Sequence, residues 1–294
     1  MNAPRSPILT LENAIAGCAF RIAPERNHEL AEFRDSRNIK LSLVDERDFN
    51  IRVLLDKNEI IIGIAALEFL WASCHAHLVI YHEYGLAQKS DATTFDTGGS
   101  DRRLNAMKLL NWAGHNIQNS GKELWPADLP QPVRYPVPLS DIHAANELFL
   151  CAIAWIIHHE LAHLRLNHQA LSSPCTIVEE KDADLEATKW ILDKCTDSKE
   201  TRKRTYGIAA AILALQGFQN EDQFVSLKTH PSTLERIDYC LTAANIDDDD
   251  EIYAFSAVTM QIQLAHRGIH KSHAGSNFRE LYSEYLIEFS KASS

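Results

Sequence analysis

The segment HHELAH, residues 158–163, places three histidines and a glutamate late in the long apolar run ELFLCAIAWIIHHELAHLRLNH. From 149 to 157 the side chains are apolar on almost every side, so the sequence predicts a helix buried on several faces. Ser140 precedes this run as an N-cap, and we expect the helix to continue to about His168. Polar side chains buried without partners are costly, so HHELAH needs a physical explanation.

His159 and His163 are four residues apart, which puts them about 40° apart on one face of a helix, one turn from each other. Two imidazoles so placed can bind one tetrahedral zinc ion. Glu160 is offset by about a quarter turn, and its carboxylate can activate a water molecule as a general base. This is the H-E-x-x-H arrangement of zinc peptidases; the alternative is a polar stripe on a surface helix.

A third ligand is expected on the next helix, which contains VEEKDADLEATKW, residues 178–190. Thr176 and Glu179 form a capping box at its start, which leaves Glu180 to face the metal. Asp184, one turn further on, can accept the distal N–H of a ligating histidine. The alternative is an ordinary acidic helix with charges four residues apart.

The two remaining histidines near the motif, His158 and His168, are predicted to take no part in the site. His168 is nine residues from His159, which places it on the opposite face of a continuous helix. The form of the motif with a third histidine needs a glycine to turn the chain, and LRLNH has none.

The segment KTHPSTLERIDYC, residues 228–240, supplies two further candidates. Ser232 and Glu235 predict a capped helix start. His230 stands at the entrance of that helix and can donate to the oxyanion of a tetrahedral intermediate, although a surface or capping role is the alternative. Arg236 can pair with Glu180 or Asp184.

The rest of the chain is predicted to be mainly helical. NIRVLLDKNEIIIGI, from Asn50, reads as a β-hairpin that turns at residues 56–58, and a helix is expected from about 65 to 85. Further helices are expected near 102–119, 200–218 and 277–289, and DDDDE at 247–251 opens another, or forms a metal site. We therefore expect one metallopeptidase domain over 1–294, mixed in 1–60 and helical in 61–294, with the zinc site within 141–240.

Composition restricts the function. The net charge of -11 argues against a nucleic-acid partner. Six scattered cysteines without a C-x-x-C pair are typical of free thiols in a reducing compartment. The N-terminus lacks the apolar block of an export signal, and Glu68, His75 and His77 interrupt the apolar segment 60–84, so no membrane span is predicted.

The order of HHELAH, EEKDAD and THPSTLERI resembles the gluzincin peptidases, whose signature is H-E-x-x-H, E-x-x-A-D and H-P-x-x-x-x-R. FRIAPER, FNIRV, ALEFLWA, FLCAIAWIIHHELAH and EATKWIL narrow the resemblance to the Lit-type phage-exclusion peptidases (peptidase U49-like), over most of the chain. The resemblance implies a zincin-like fold with zinc as cofactor. It implies His159, His163 and Glu180 as ligands and Glu160 as the base, and the broader pattern suggests His230 as oxyanion donor.

The resemblance also implies a biological role. Such proteins are cytoplasmic zinc endopeptidases that associate loosely with the membrane and stay latent until a phage capsid peptide appears. They then cut elongation factor Tu, which stops translation and aborts the infection. Two alternatives stay open on the sequence: a non-catalytic sensor or regulator that keeps the metal, and a metallopeptidase that cleaves a repressor. The hairpin near Asn50 offers an edge strand for an extended peptide.

Overall fold

The computed structural model describes residues 5–46, 50–89, 95, 98–119, 123–168, 176–218, 231–270 and 275–292. Its helices are α1 (Glu12–Ala16), α2 (Cys18–Ile22), α3 (Asn27–Arg37), α4 (Ile64–Lys89), α5 (Asp101–Gln118), α6 (Asp141–Arg165), α7 (Ile177–Leu192), α8 (Ser198–Phe218), α9 (Thr233–Ala243), α10 (Glu251–His266) and α11 (Phe278–Ala292). Its strands are β1 (Lys40–Val44), β2 (Ile51–Leu54) and β3 (Glu59–Gly63), and short 3-10 helices lie at Pro7–Leu11 and Pro24–Arg26. The prediction of a mainly α fold with a small β element is confirmed.

The three strands form one sheet in the order β1-β3-β2. β2 and β3 are antiparallel, with Val53 opposite Ile60, so the predicted hairpin is confirmed. Asn58 in its turn has a φ of 49°, a left-handed conformation that asparagine tolerates well. β1 runs parallel to β3 and was not predicted, although residues 40–43, KLSL, alternate polar and apolar side chains as a half-buried strand does.

Helix α6 is the central helix of the fold. Ser140 caps it by accepting a hydrogen bond from the N–H of His143 at 3.2 Å. Its buried face includes Phe149 and Trp155, which are at most 1% exposed, and it packs against α4, α7 and α8. α6 ends at Arg165, three residues before the predicted end.

The capping boxes predicted for the next two site-bearing helices are both present. Thr176 and Glu179 exchange hydrogen bonds at the start of α7, and Ser232 and Glu235 do so at the start of α9. α7 packs against α6 and α9 packs against α7, so these two local caps fix where both helices begin beside the central helix.

The acidic run at 247–251 acts as a helix start. Asp250 is the N-cap of α10 and accepts from the N–H of Ile252, while Asp248 pairs with Arg279 at 2.9 Å. In the described part of the chain, the run contributes to no group that could hold a metal ion. The dipole interpretation therefore fits and the alternative of a metal site does not.

Two helices, Ile64–Lys89 and Asp141–Arg165, are long and apolar enough to cross a membrane by composition alone. Of their most apolar windows, 83% and 89% are buried inside the fold, as in the core helices of a globular protein. One hydrophobic cluster contains buried side chains from Ile8 to Phe289. The extent of the domain and its division at residue 60 stay predictions. The five described cysteines are free thiols.

Candidate metal centre

Three buried side chains from two helices converge on one point. The Nε2 atoms of His159 and His163, on successive turns of α6, lie 3.2 Å apart. Glu180 on α7 places one carboxylate oxygen 3.4 Å from Nε2 of His159 and the other 3.6 Å from Nε2 of His163. Among the described residues, this is the only group of three or more His, Cys, Asp or Glu side chains that could hold a metal ion.

The packing of α7 on α6 explains this convergence. Ala183 and Ala187 are fully buried and small, on the same side of α7 as Glu180, and they let the two helices approach closely. The Nε1 of Trp155 donates to the hydroxyl of Thr188 at 3.1 Å, which ties the helices together beside the cluster. The i, i+4 spacing of the histidines and the small residues on α7 together bring the carboxylate to the imidazoles.

Asp184 holds the outer side of His159. Its Oδ1 lies 2.8 Å from Nδ1 of His159. Arg236 on α9 donates to both carboxylate oxygens, at 2.8 and 2.7 Å, and the hydroxyl of Tyr239 donates to one of them. Asp184 is fully buried. Asp184 therefore contacts the candidate ligand His159. Of the two partners predicted for Arg236, Asp184 is the one that accepts its hydrogen bonds.

The two imidazoles have opposite electrostatic environments. At His159, burial lowers the pKa, but Asp184 and Glu180 outweigh it and hold the pKa well above its ordinary value. At His163, burial and the charge of His159 both lower the pKa. The cluster therefore stabilises one positive charge between two facing nitrogen atoms and a carboxylate, which is the environment that a bound cation needs.

Glu160 lies beside the cluster and is 8% exposed. Its Oε2 accepts a hydrogen bond from the backbone N–H of Val53, on the edge strand β2, at 2.8 Å. Burial raises the pKa of Glu160 to about 7, while His159 lowers it and Glu180 raises it to smaller extents. A carboxylate with a pKa near neutrality is suited to taking up and releasing a proton.

The position of His168 differs from the prediction. Its Nδ1 lies 2.8 Å from Nδ1 of His163, so it is not a bystander on the opposite face of the helix. The prediction was wrong because α6 ends at Arg165, and Asn167, with a φ of 55°, turns the chain as a glycine would. His158 does stay apart: its Nε2 lies 3.0 Å from the carbonyl oxygen of Ala19, and its ring stacks on Trp190.

His230 lies outside the described residues, so its role as an oxyanion donor stays a prediction. Three contacts of the site were not predicted from the sequence: Val53 with Glu160, Tyr239 with Asp184, and His168 with His163. Val53 is 107 positions from Glu160, and no local pattern connects them. Tyr239 could have been found, because it lies three residues after Arg236 and shares its helix face.

The ligand set fits a metal ion. Two imidazole nitrogens and one carboxylate, with a further position left for water or substrate, are typical of catalytic zinc. Nitrogen and oxygen donors of this kind also accept other first-row divalent ions, so the geometry supports a metal centre without selecting the element. With a buried carboxylate beside it, such a centre can hydrolyse a polar bond.

Comparison with known proteins gives two matches. The family model described as Peptidase U49 matches residues 60–256. The chain is 36% identical over 295 residues, covering 99% of each protein, to a protein named "Cell death peptidase" from Escherichia coli (strain K12). No solved structure matches the chain significantly.

Proposed function

The chain belongs to the peptidase U49 family, and we propose that it is a zinc-dependent endopeptidase. The observation that carries this proposal is the convergence of His159, His163 and Glu180 within 4.8 Å of one another, buried, with Glu160 adjacent. A structural zinc site has no use for an additional carboxylate that lies beside its three ligands and has a raised pKa, as Glu160 does. That feature favours catalysis over the alternative of a non-catalytic sensor.

His159, His163 and Glu180 would hold the ion. When bound, the ion supplies Lewis acidity that polarises the scissile carbonyl and makes a water molecule more acidic. Glu160 takes the proton of the attacking water and later passes it to the leaving amine. Asp184, fixed by Arg236, would keep the proton of His159 on Nδ1 and so leave Nε2 free to hold the ion.

We further propose that the substrate binds as an extended strand along β2. β2 is an edge strand, and the N–H of Val53 points away from β3 toward Glu160. A peptide that pairs with this edge would replace Glu160 as the acceptor of the Val53 N–H and would lie beside the base. Strand pairing uses backbone hydrogen bonds and depends little on the side chains of the peptide. This mode of binding suits an exposed, extended segment of a folded protein.

The resemblance and the name of the E. coli relative support a role in cell death. On that basis we propose elongation factor Tu as the substrate and a phage-derived peptide as the trigger, in the cytoplasm or at the inner surface of the membrane. A repressor protein in place of elongation factor Tu would require the same chemistry at the metal centre.

The test compares the wild-type protein with Glu160→Gln, with and without a chelator. Each protein is analysed for metal and incubated with elongation factor Tu and the phage peptide. We expect one zinc per chain in both, and a loss of roughly 10²–10⁴-fold in cleavage rate for the variant. The control is Glu147→Gln, on the N-terminal part of the same helix, where the half-exposed side chain pairs with Lys203 and takes no part in the cluster; this variant should cleave normally. Cleavage by Glu160→Gln at the wild-type rate would refute the mechanism.

A further inference from the structure

The C-terminal end of α6 folds back on the metal centre. Asn167 adopts a left-handed conformation, the N–H of His168 donates to the carbonyl of His163 at 3.0 Å, and the N–H of Asn167 donates to that of Leu164 at 3.4 Å. These two hydrogen bonds constitute a Schellman motif. The turn returns the ring of His168 to the helical turn that carries His163.

The contact between the two rings constrains their protons. His163 directs Nε2 toward His159 and Glu180, and its Nδ1 lies 2.8 Å from Nδ1 of His168. An imidazole that binds a metal through Nε2 carries its proton on Nδ1, which is then a donor. His168 must accept at Nδ1 and carry its own proton on Nε2.

We propose that His168 is the positioning residue of His163, as Asp184 is that of His159. This inference rests on the proposed function, because it assigns His168 a role toward the ion that His159, His163 and Glu180 would hold. Each ligating imidazole then has its own acceptor: a carboxylate from α7 for His159, and a neutral imidazole from the end of α6 for His163. Acceptors of this kind typically raise metal affinity by roughly 10–100-fold.

A second contact holds the turn in place. Arg37, at the end of α3, donates to Oδ1 of Asn167 at 2.7 Å. Asparagine is one of the few residues besides glycine that adopt the left-handed conformation readily, while alanine does so poorly. The turn can therefore be tested by backbone conformation separately from the imidazole itself.

The main experiment measures the zinc dissociation constant by competition with a chromophoric chelator. His168→Asn keeps an acceptor near the position of Nδ1, and His168→Leu removes it at similar bulk. We expect His168→Leu to bind zinc roughly 10–100-fold more weakly and His168→Asn to stay within about threefold of wild type. Thermal unfolding of the metal-free proteins checks that both variants fold.

Equal zinc affinity in His168→Leu and wild type would overturn the proposal. Equal losses in both variants, with three imidazoles in the X-ray absorption spectrum of the wild-type zinc protein, would also overturn it, because His168 would then be a ligand. A wild-type protein that binds no zinc would instead refute the proposed function. In the matched pair for the turn, both variants lose the hydrogen bond from Arg37, so the comparison isolates backbone conformation: Asn167→Gly should bind zinc more tightly than Asn167→Ala. The opposite order would contradict the role of the turn.

Discussion

Helices α4 and α6 are both long, apolar and buried, yet their histidines have opposite surroundings. On α6, each ring nitrogen of His159 and His163 has an acid or another imidazole within 3.6 Å. On α4, among the described residues, both nitrogens of His77 and the Nδ1 of His75 have no hydrogen-bond partner. Burial lowers the pKa of His75 to about 4 and that of His77 to about 3, so both are neutral.

The difference shows that burial of a histidine does not by itself indicate a site. Both helices carry histidines inside an apolar run, but His75 and His77 are two residues apart, so they point about 160° away from each other and cannot bind one ion. The four-residue spacing on α6 and the acids that α7 brings to it distinguish the two regions. His75 stacks on Trp71, as an ordinary core side chain does.

Replacing one histidine in each helix by glutamine should produce the largest difference in metal content. His163→Gln removes one of three candidate ligands, and we expect the protein to lose its metal on dialysis and to lose proteolysis with it. His77→Gln should retain one metal ion per chain, because His77 has no part in the cluster. Metal analysis after dialysis decides the comparison. Equal metal content in the two variants would mean that the cluster on α6 is not the binding site.

Removing Asp184, one of the two acids that α7 brings to the histidines of α6, should have the next largest effect. Asp184→Leu leaves Arg236 buried and unpaired, and we expect it to cost on the order of 3–5 kcal/mol of unfolding free energy. It should also weaken zinc binding by roughly 10–100-fold, because His159 loses its acceptor. Urea unfolding of the metal-free protein and chelator competition measure the two effects separately.

The double variant Asp184→Leu with Arg236→Met is the control for that experiment. Replacing a buried ion pair by apolar side chains of similar size is often neutral, so most of the lost stability should return. Zinc affinity should stay low, because the acceptor is still missing. If affinity recovered together with stability, Asp184 would support only the packing of α9 on α7 and not the orientation of His159.

Local signals in the sequence predicted most of the site. Ser140, Thr176 and Ser232 mark helix starts that depend on side chains within three residues, and all three helices begin there. Helical spacing then sufficed to place Glu180 and Asp184 on one side of α7. The sequence did not predict where α6 ends, because that end depends on the backbone conformation of Asn167. The predicted position of His168 was wrong for the same reason.

The sequence also failed to predict contacts between segments that are far apart in the chain. The hydrogen bond from Val53 to Glu160 joins a strand to a helix through tertiary packing alone. β1 pairs with β3, from which β2 separates it along the chain. Its alternating sequence KLSLV could have indicated a strand, but not the partner of that strand. Such contacts follow from the whole fold, and neither periodicity nor capping can indicate them.

The smallest effect concerns His77 of α4 and appears only on acidification. His77 takes up a proton in the unfolded chain near pH 6.5 but in the folded protein only near pH 3, so the unfolded state binds more protons between these values. Stability therefore falls as the pH drops below 6.5. His77→Leu removes this term, and between pH 7.5 and pH 5 the wild type should lose about 2 kcal/mol more unfolding free energy than the variant. Urea unfolding of the metal-free proteins at both pH values measures the difference, and parallel losses would show that His77 gains a partner or a proton inside the fold.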